Sequence, residues 1–235
     1  MGINFSKKIL FVSHHNEIEL GIMKNFFLEN NYNIEVINPL IGKKLPKDFK
    51  NYSGIIILGG AMNVNDTKEY PDLINEIDWI KEITKSNIPI LGICLGAQLI
   101  ANAYGATVDN HKDGLVEIGY RKVSFINKNA NLDFYPNKVF QWHTQGFNLP
   151  NKSQLLAYNE LFDVQAFVIK NNIFGFQFHP EVDKKMIIKW NNKSSIAMKK
   201  KGFIKKETQL KDHETYSENV SNWFKLFLKN WLISH

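Results

Sequence analysis

The chain of 235 residues has a single cysteine, Cys94. One thiol excludes an internal disulfide and excludes zinc sites built from paired cysteines. It suits a reducing compartment, so a cytoplasmic setting is expected and no metal is. No apolar run approaches the ~18 residues that a membrane span requires. The segments "GIIILGG" and "PILGICLG" are short enough to be buried strands. The first residues show no secretory signal pattern. "MGINFS" does match the myristoylation template, with glycine second and serine sixth, but a strand starting at Lys7 leaves no free arm to anchor. Internal repeats and linkers are also missing, and residues 1–235 are expected to form one domain. Strong charge of one sign is absent. The formal net charge is +6, the lysines are scattered, and the densest cluster, "KKKGFIKK", has no aromatic platform or helix-turn-helix pattern beside it. A solvated face is expected there, with neither nucleic acid nor membrane as partner.

Apolar residues are plentiful, at 44% of the chain, which is enough for a sizeable core. "KKILFVSHH" reads as a first strand and "YNIEVINP" as a second, stopped by Pro39. Between them, Ile18, Ile22, Phe26 and Phe27 recur at helical spacing. "SGIIILGG" and "IPILGIC" are apolar on both faces, as strands of a covered parallel sheet must be. "YPDLINEIDWIKEITKS" is a helix with Pro71 near its first turn and Leu73, Ile77, Ile80 and Ile83 along one side. "LGAQLIANAYG" is a helix that closes at Gly105. After Gly105 the pattern turns to short strands, several expected to pair antiparallel. A helix "VDKKMIIKWNN" follows, and residues 191–215 have no clear assignment. The terminal helix "SENVSNWFKLFLKNWL" turns Val220, Trp223, Phe224, Phe227 and Trp231 inward. Alternating strands and helices predict an α/β fold: an open, mixed, mostly parallel central sheet flanked by helices, with an antiparallel extension in the second half.

"GICLG" has the form of a nucleophile elbow, in which a strand turns sharply into a helix at the reactive residue. Glycines on either side make room for that turn. The elbow sets Cys94 at the carboxyl end of a strand, where open α/β sheets bind ligands. It also sets Cys94 at a helix N-terminus, whose free N–H groups and dipole favour negative charge on sulfur. The Leu95 N–H is a natural donor to a developing oxyanion. Free cysteine is often only a small buried hydrophobe, but a packing cysteine in a strand has no need of those glycines. The thiol needs a base. Of seven histidines, His179 in "GFQFHPE" ends an apolar run and has Glu181 two residues on. On extended backbone the two point the same way, so Glu181 is expected to hold Nδ1 of His179 and leave Nε2 for Cys94.

The ordered set "LGG", "GICLGAQ" and "FHPE" resembles the class I glutamine amidotransferases. Further matches at "LGGAMNVND", "YPDL", "EIGY", "FQWH" and "QAF" are most similar to stand-alone proteins of the kind found as the amidotransferase domain of GMP synthase. The resemblance implies a flavodoxin-like amidotransferase fold with Cys94 as nucleophile, His179 as acid and base, and Glu181 as its orienter. It implies an oxyanion hole from the Gly60 and Leu95 N–H groups. Gln98 would help hold glutamine, and main-chain groups around His143, Thr144 and Gln145 would line the pocket. It implies a γ-glutamyl thioester and no cofactor. Relatives usually follow Trp-His with Gly-Asp, whereas this chain has Thr144 and Gln145. Nothing in it resembles an ATP-pyrophosphatase module or its phosphate loop. Any ammonia released would therefore need an acceptor enzyme in trans, such as a synthase partner, or be lost to water. The same thiol chemistry would also suit a γ-glutamyl peptide or conjugate hydrolase, and a non-catalytic regulatory module is the third reading.

Overall fold

Short apolar runs form the middle of one eight-stranded sheet in the computed structural model, which describes residues 7–126, 134–193 and 199–233. The first half alternates β1 (Lys8–Val12), α1 (Ile22–Glu29), β2 (Asn33–Ile37), β3 (Gly54–Ile57), α2 (Asp72–Ile83), β4 (Ile90–Ile93) and α3 (Leu95–Ala103). The second half is mostly strand: β5 (Val108–Asn110), β6 (Glu117–Lys122), β7 (Ser124–Phe125), β8 (Lys138–His143), β9 (Gln145–Phe147), β10 (Ser153–Tyr158), β11 (Ala166–Ile169) and β12 (Ile173–Phe176). Helices α4 (Lys184–Lys193) and α5 (Lys206–Ile233) close the chain.

The central sheet runs β2-β1-β3-β4-β12-β11-β10-β7. Pairing is parallel from β2 to β12 and antiparallel from β12 outward to β7, as the change of texture after Gly105 predicts. Two small antiparallel pairs, β5-β9 and β6-β8, stand outside it. Because side chains alternate along a strand, β1 feeds two cores. Ile9 and Phe11 pack with α1 and α5, while Leu10 and Val12 pack with α2 and α3. Among the described residues no helix is long and apolar enough to cross a membrane.

Several expectations need correction. Helix α1 begins at Ile22, and Ile18 is 59% exposed, so Ile18 takes no part in its apolar face. The break falls at Gly21, whose φ of 50° does not continue a helix backwards. The segment 191–215 divides: its first residues end α4, and from Lys206 onward it belongs to α5, which is 28 residues long. Residues 194–198 and the myristoylation match at residues 1–6 lie outside the described residues. The short strands β5 and β9 had no sequence signal of their own.

Candidate active site

Between β4 and α3 a single residue, Cys94, turns the chain with φ 51° and ψ −108°. Such a conformation costs a non-glycine residue about 1–3 kcal/mol and persists only where the surroundings impose it. Here Cys94 N–H donates to the Phe176 carbonyl at 2.8 Å, and Gln98 N–H donates to the Cys94 carbonyl at 3.0 Å. The flanking glycines let the elements close up. A Cβ on Gly92 would lie 2.6 Å from the Gly96 backbone, and one on Gly96 would lie 2.0 Å from the Ile57 carbonyl oxygen. Cys94 is 6% exposed, and polar groups face its sulfur. The Trp142 carbonyl and the Gln177 side-chain amide each lie 3.8 Å from Sγ, and the sulfur is close enough to the His179 ring to raise its pKa.

His179 arrives from the neighbouring strand. β12 pairs with β4 in parallel, with Phe176 opposite Ile93, and the chain runs three residues further to the imidazole. His179 N–H donates to the Phe140 carbonyl at 2.8 Å, which ties the segment to β8. Nδ1 of His179 lies 2.7 Å from Glu181 Oε1, and both side chains are buried. β12 ends at Phe176 and Glu181 lies in a turn, so this pair is made by the turn and not by strand alternation. With Nδ1 occupied, Nε2 is left for Cys94. Gly59 lies between the two: a Cβ there would sit 3.1 Å from His179 Cε1, a tight contact, and 3.5 Å from Cys94 Cβ. Burial opposes charge on His179, but the Glu181 carboxylate and Cys94 outweigh it and raise the imidazole pKa to about 10. The Trp190 ring meets the imidazole at a centroid distance of 4.9 Å. The Glu181 carbonyl accepts the Ile22 N–H at 3.0 Å, so the start of α1 braces the turn.

The remaining sequence candidates fall into two groups. Gly60 and Leu95 are neighbours, since a Cβ on Gly60 would lie 2.6 Å from Leu95 Cδ2. Leu95 opens α3, where backbone N–H groups have no intrahelical acceptor. Gln98 donates to the Gln145 carbonyl and to Gln177 Oε1, both at 3.1 Å, so it locks β9 to the end of β12. Thr144 is half-buried between β8 and β9. Gln145 is buried, and its Oε1 has no partner among the described residues. His143 shares the Gln145 carbonyl with Gln98 and turns its other nitrogen toward buried Gln141 and Glu117. Its Nδ1 meets the Gln145 carbonyl at 2.8 Å, and its Nε2 meets Gln141 Oε1 at 3.1 Å and Glu117 Oε2 at 3.2 Å.

Two features escaped sequence reasoning. Gln177 bridges Cys94 and Gln98 while fully buried, and its only signal was its place two residues before His179. His14 and Glu76 form a fully buried pair, with Nε2 3.1 and 3.0 Å from the two carboxylate oxygens. Burial opposes the charged ring of His14, yet Glu76 and the Gly59 and Leu58 carbonyls raise its pKa. The signal for this pair was a carboxylate on the apolar side of α2, among Leu73, Ile80 and Ile83.

Residues 10–187 match the family model for Glutamine amidotransferase class-I. A glutamine amidotransferase-like protein of Acanthamoeba polyphaga mimivirus is 32% identical over 169 residues, which covers 71% of this chain and 74% of that one. One subunit of a glutamine-hydrolyzing GMP synthase from Thermoplasma acidophilum is 36% identical over 134 residues, covering 55% of this chain and 64% of its own length. Gamma-glutamyl peptidase 4 of Arabidopsis thaliana is 29% identical over 148 residues, covering 60% and 58%. The match thus spans less than two thirds of the peptidase and of the synthase subunit. Among solved structures, a glutamine amidotransferase from Thermotoga maritima superposes with a TM-score of 0.87 at 30% identity, covering 97% of this chain and 98% of that one.

Proposed function

This chain belongs to the class I glutamine amidotransferase family, and from that premise we propose that it hydrolyses the side-chain amide of glutamine through Cys94, His179 and Glu181. One observation carries the reading. The only thiol sits on a positive-φ turn beside an imidazole whose Nδ1 is 2.7 Å from a buried carboxylate. That is the arrangement of nucleophile, base and orienter. Its intactness weighs against a non-catalytic module.

In this mechanism the Cys94 proton rests on His179 and the thiolate attacks the amide carbon. A carbon–sulfur bond forms, and the carbonyl electron pair moves to oxygen, where the Gly60 and Leu95 N–H groups receive the charge. Losing one such donor costs on the order of 3 kcal/mol of barrier lowering. His179 gives its proton to the nitrogen, the carbon–nitrogen bond breaks and ammonia leaves. A water molecule then attacks the γ-glutamyl thioester while His179 takes its proton. The carbon–sulfur bond breaks, glutamate departs and the thiolate is restored. No cofactor enters any step. A cytoplasmic setting keeps the one thiol reduced. Residues 1–235 act as one unit, a reading supported by a central sheet that takes strands from both halves of the chain. Ammonia goes to an acceptor enzyme supplied separately, as the likeness to a synthase subunit suggests.

A second reading, hydrolysis of γ-glutamyl peptides or conjugates, is favoured by Thr144 and Gln145 at the β8–β9 junction and by the likeness to a gamma-glutamyl peptidase. The test is to incubate the protein with glutamine and with a panel of γ-glutamyl peptides, measuring ammonia, glutamate and released amine, beside Cys94→Ala. Glutamine turnover that vanishes in the variant supports the first reading. Turnover of peptides with little of glutamine supports the second. Equal turnover by wild type and Cys94→Ala refutes both.

A further inference from the structure

His14 and Glu76 lie outside the triad, yet they reach the Gly59–Gly60 turn beside it. His14 Nδ1 is 3.3 Å from the Gly59 carbonyl oxygen, while Nε2 is held by the Glu76 carboxylate. A carbonyl oxygen only accepts, so Nδ1 must carry a proton. Two proton arrangements satisfy Nε2, an imidazolium facing a carboxylate or a neutral ring accepting from a carboxylic acid. Both hold the same number of protons, and both leave Nδ1 donating to Gly59. Glu76 raises the proton affinity of the ring and so helps to keep on Nδ1 the proton that anchors this carbonyl.

The carbonyl of Gly59 and the N–H of Gly60 are two ends of one peptide plane. In a trans peptide they point in opposite directions, and no cis bond is found among the described residues. Anchoring the oxygen therefore sets the direction of the N–H. Gly59 lies against Cys94 and His179, and His14 itself packs on Gly60, where a Cβ would come within 2.9 Å of His14 Cβ. Among the described residues no acceptor takes the Gly60 N–H. Stability alone is a weak reason for this pair, because a buried ion pair is often no better than well-packed apolar side chains.

We propose that the His14–Glu76 pair is a positioning device for the amide-cleaving centre, holding the Gly59–Gly60 peptide so that the Gly60 N–H stays aimed at the substrate oxygen. The inference rests on the amidase reading above. Two side chains of similar size separate it from simple packing. In His14→Asn the amide nitrogen stands near the place of Nδ1 and can still donate to Gly59. In His14→Gln it stands near the place of Nε2, so it meets position 76 and leaves Gly59 alone. Both are made with Glu76→Gln, so that no buried carboxylate is left unpaired, and Glu76→Gln alone is measured beside them.

The expected result is that Glu76→Gln and the Asn variant keep kcat within about 5-fold of wild type, while the Gln variant loses about 10- to 100-fold. KM should hold within about 2-fold throughout. Alkylation of Cys94 by iodoacetamide, a displacement that develops no oxyanion, should also hold within about 2-fold. Equal kcat in the Asn and Gln variants, a Gln variant better than Asn, alkylation falling in step with kcat, or failure of both to fold would each assign the pair to packing and overturn the inference. Turnover that is the same in wild type and Cys94→Ala would instead remove the amidase reading, and this inference with it.

Discussion

Glu181 gives one carboxylate oxygen to His179 at 2.7 Å and keeps the other buried without a partner among the described residues. Its charge has one use, to hold a proton on the ring. Because the His179 pKa is raised to about 10, the ring is protonated through neutral pH and loses its proton only as pH climbs through that value. The plot of kcat/KM against pH is therefore expected to fall on its alkaline side near 10. Glu181→Gln removes the largest cause raising the pKa, so that limb should move to lower pH and turnover at neutral pH should drop about 10²-fold or more. An unmoved limb would show that another group sets it. At this scale the sequence was readable wherever a residue type sits in a motif, as with Cys94, His179 and Glu181. It was unreadable where a residue acts through the fold. Gln177, His14 and Glu76 approach the site from three separate stretches of the chain, the turns after β12 and β1 and the helix α2, and no local pattern links them.

Among the elements, those with an apolar period were legible and those held by polar contacts were not. Strands β1, β3 and β4 and the second half of α5 fall where apolar patterning puts them. The first half of α5 has almost no apolar stripe. It is held by Gln209, which accepts from Asn191 at 2.9 Å, and by His213, whose Nδ1 lies 2.9 Å from the Tyr120 hydroxyl. Buried polar pairing of that kind is invisible to hydrophobic periodicity. Close packing of elements yields two predictions. Gly96→Ala would drive a Cβ to 2.0 Å from the Ile57 carbonyl oxygen and push α3 away from β3. A loss of about 1–3 kcal/mol in urea unfolding is expected, together with a fall in kcat because α3 carries the elbow. Gly21→Ala would bring a Cβ to 1.9 Å from the Glu181 carbonyl oxygen at a φ of 50°. It is expected to lower kcat by moving the turn that holds the His179 partner, and kcat equal to wild type would show that α1 does not brace the site.

For the whole molecule, both cores were foreseeable from doubly buried strands, but the neighbour relation that matters most was not. Ile93 and Phe176 face each other across β4 and β12, far apart in sequence, and no residue pattern announces that pairing. An aromatic cluster supports it from one side. Trp223 of α5 packs against Phe176 at 5.7 Å and Phe178 at 6.1 Å, directly ahead of His179 in the chain. Trp223→Ala should cost about 3–5 kcal/mol, measured by chemical unfolding. Activity of the variant should vanish at a lower temperature than that of wild type. A change below about 1 kcal/mol would mean that α5 is not holding β12 in place.

β12 lies between β4 and β11, so the strand leading to His179 is a late arrival in the middle of the sheet. Synthesis runs from the N-terminus, and a chain still on the ribosome presents its thiol beside an open β4 edge long before the histidine emerges. On the proposed mechanism, a chain stalled there has its nucleophile without its base, and the centre is complete only once β12 has inserted beside β4 and brought His179 to the thiol.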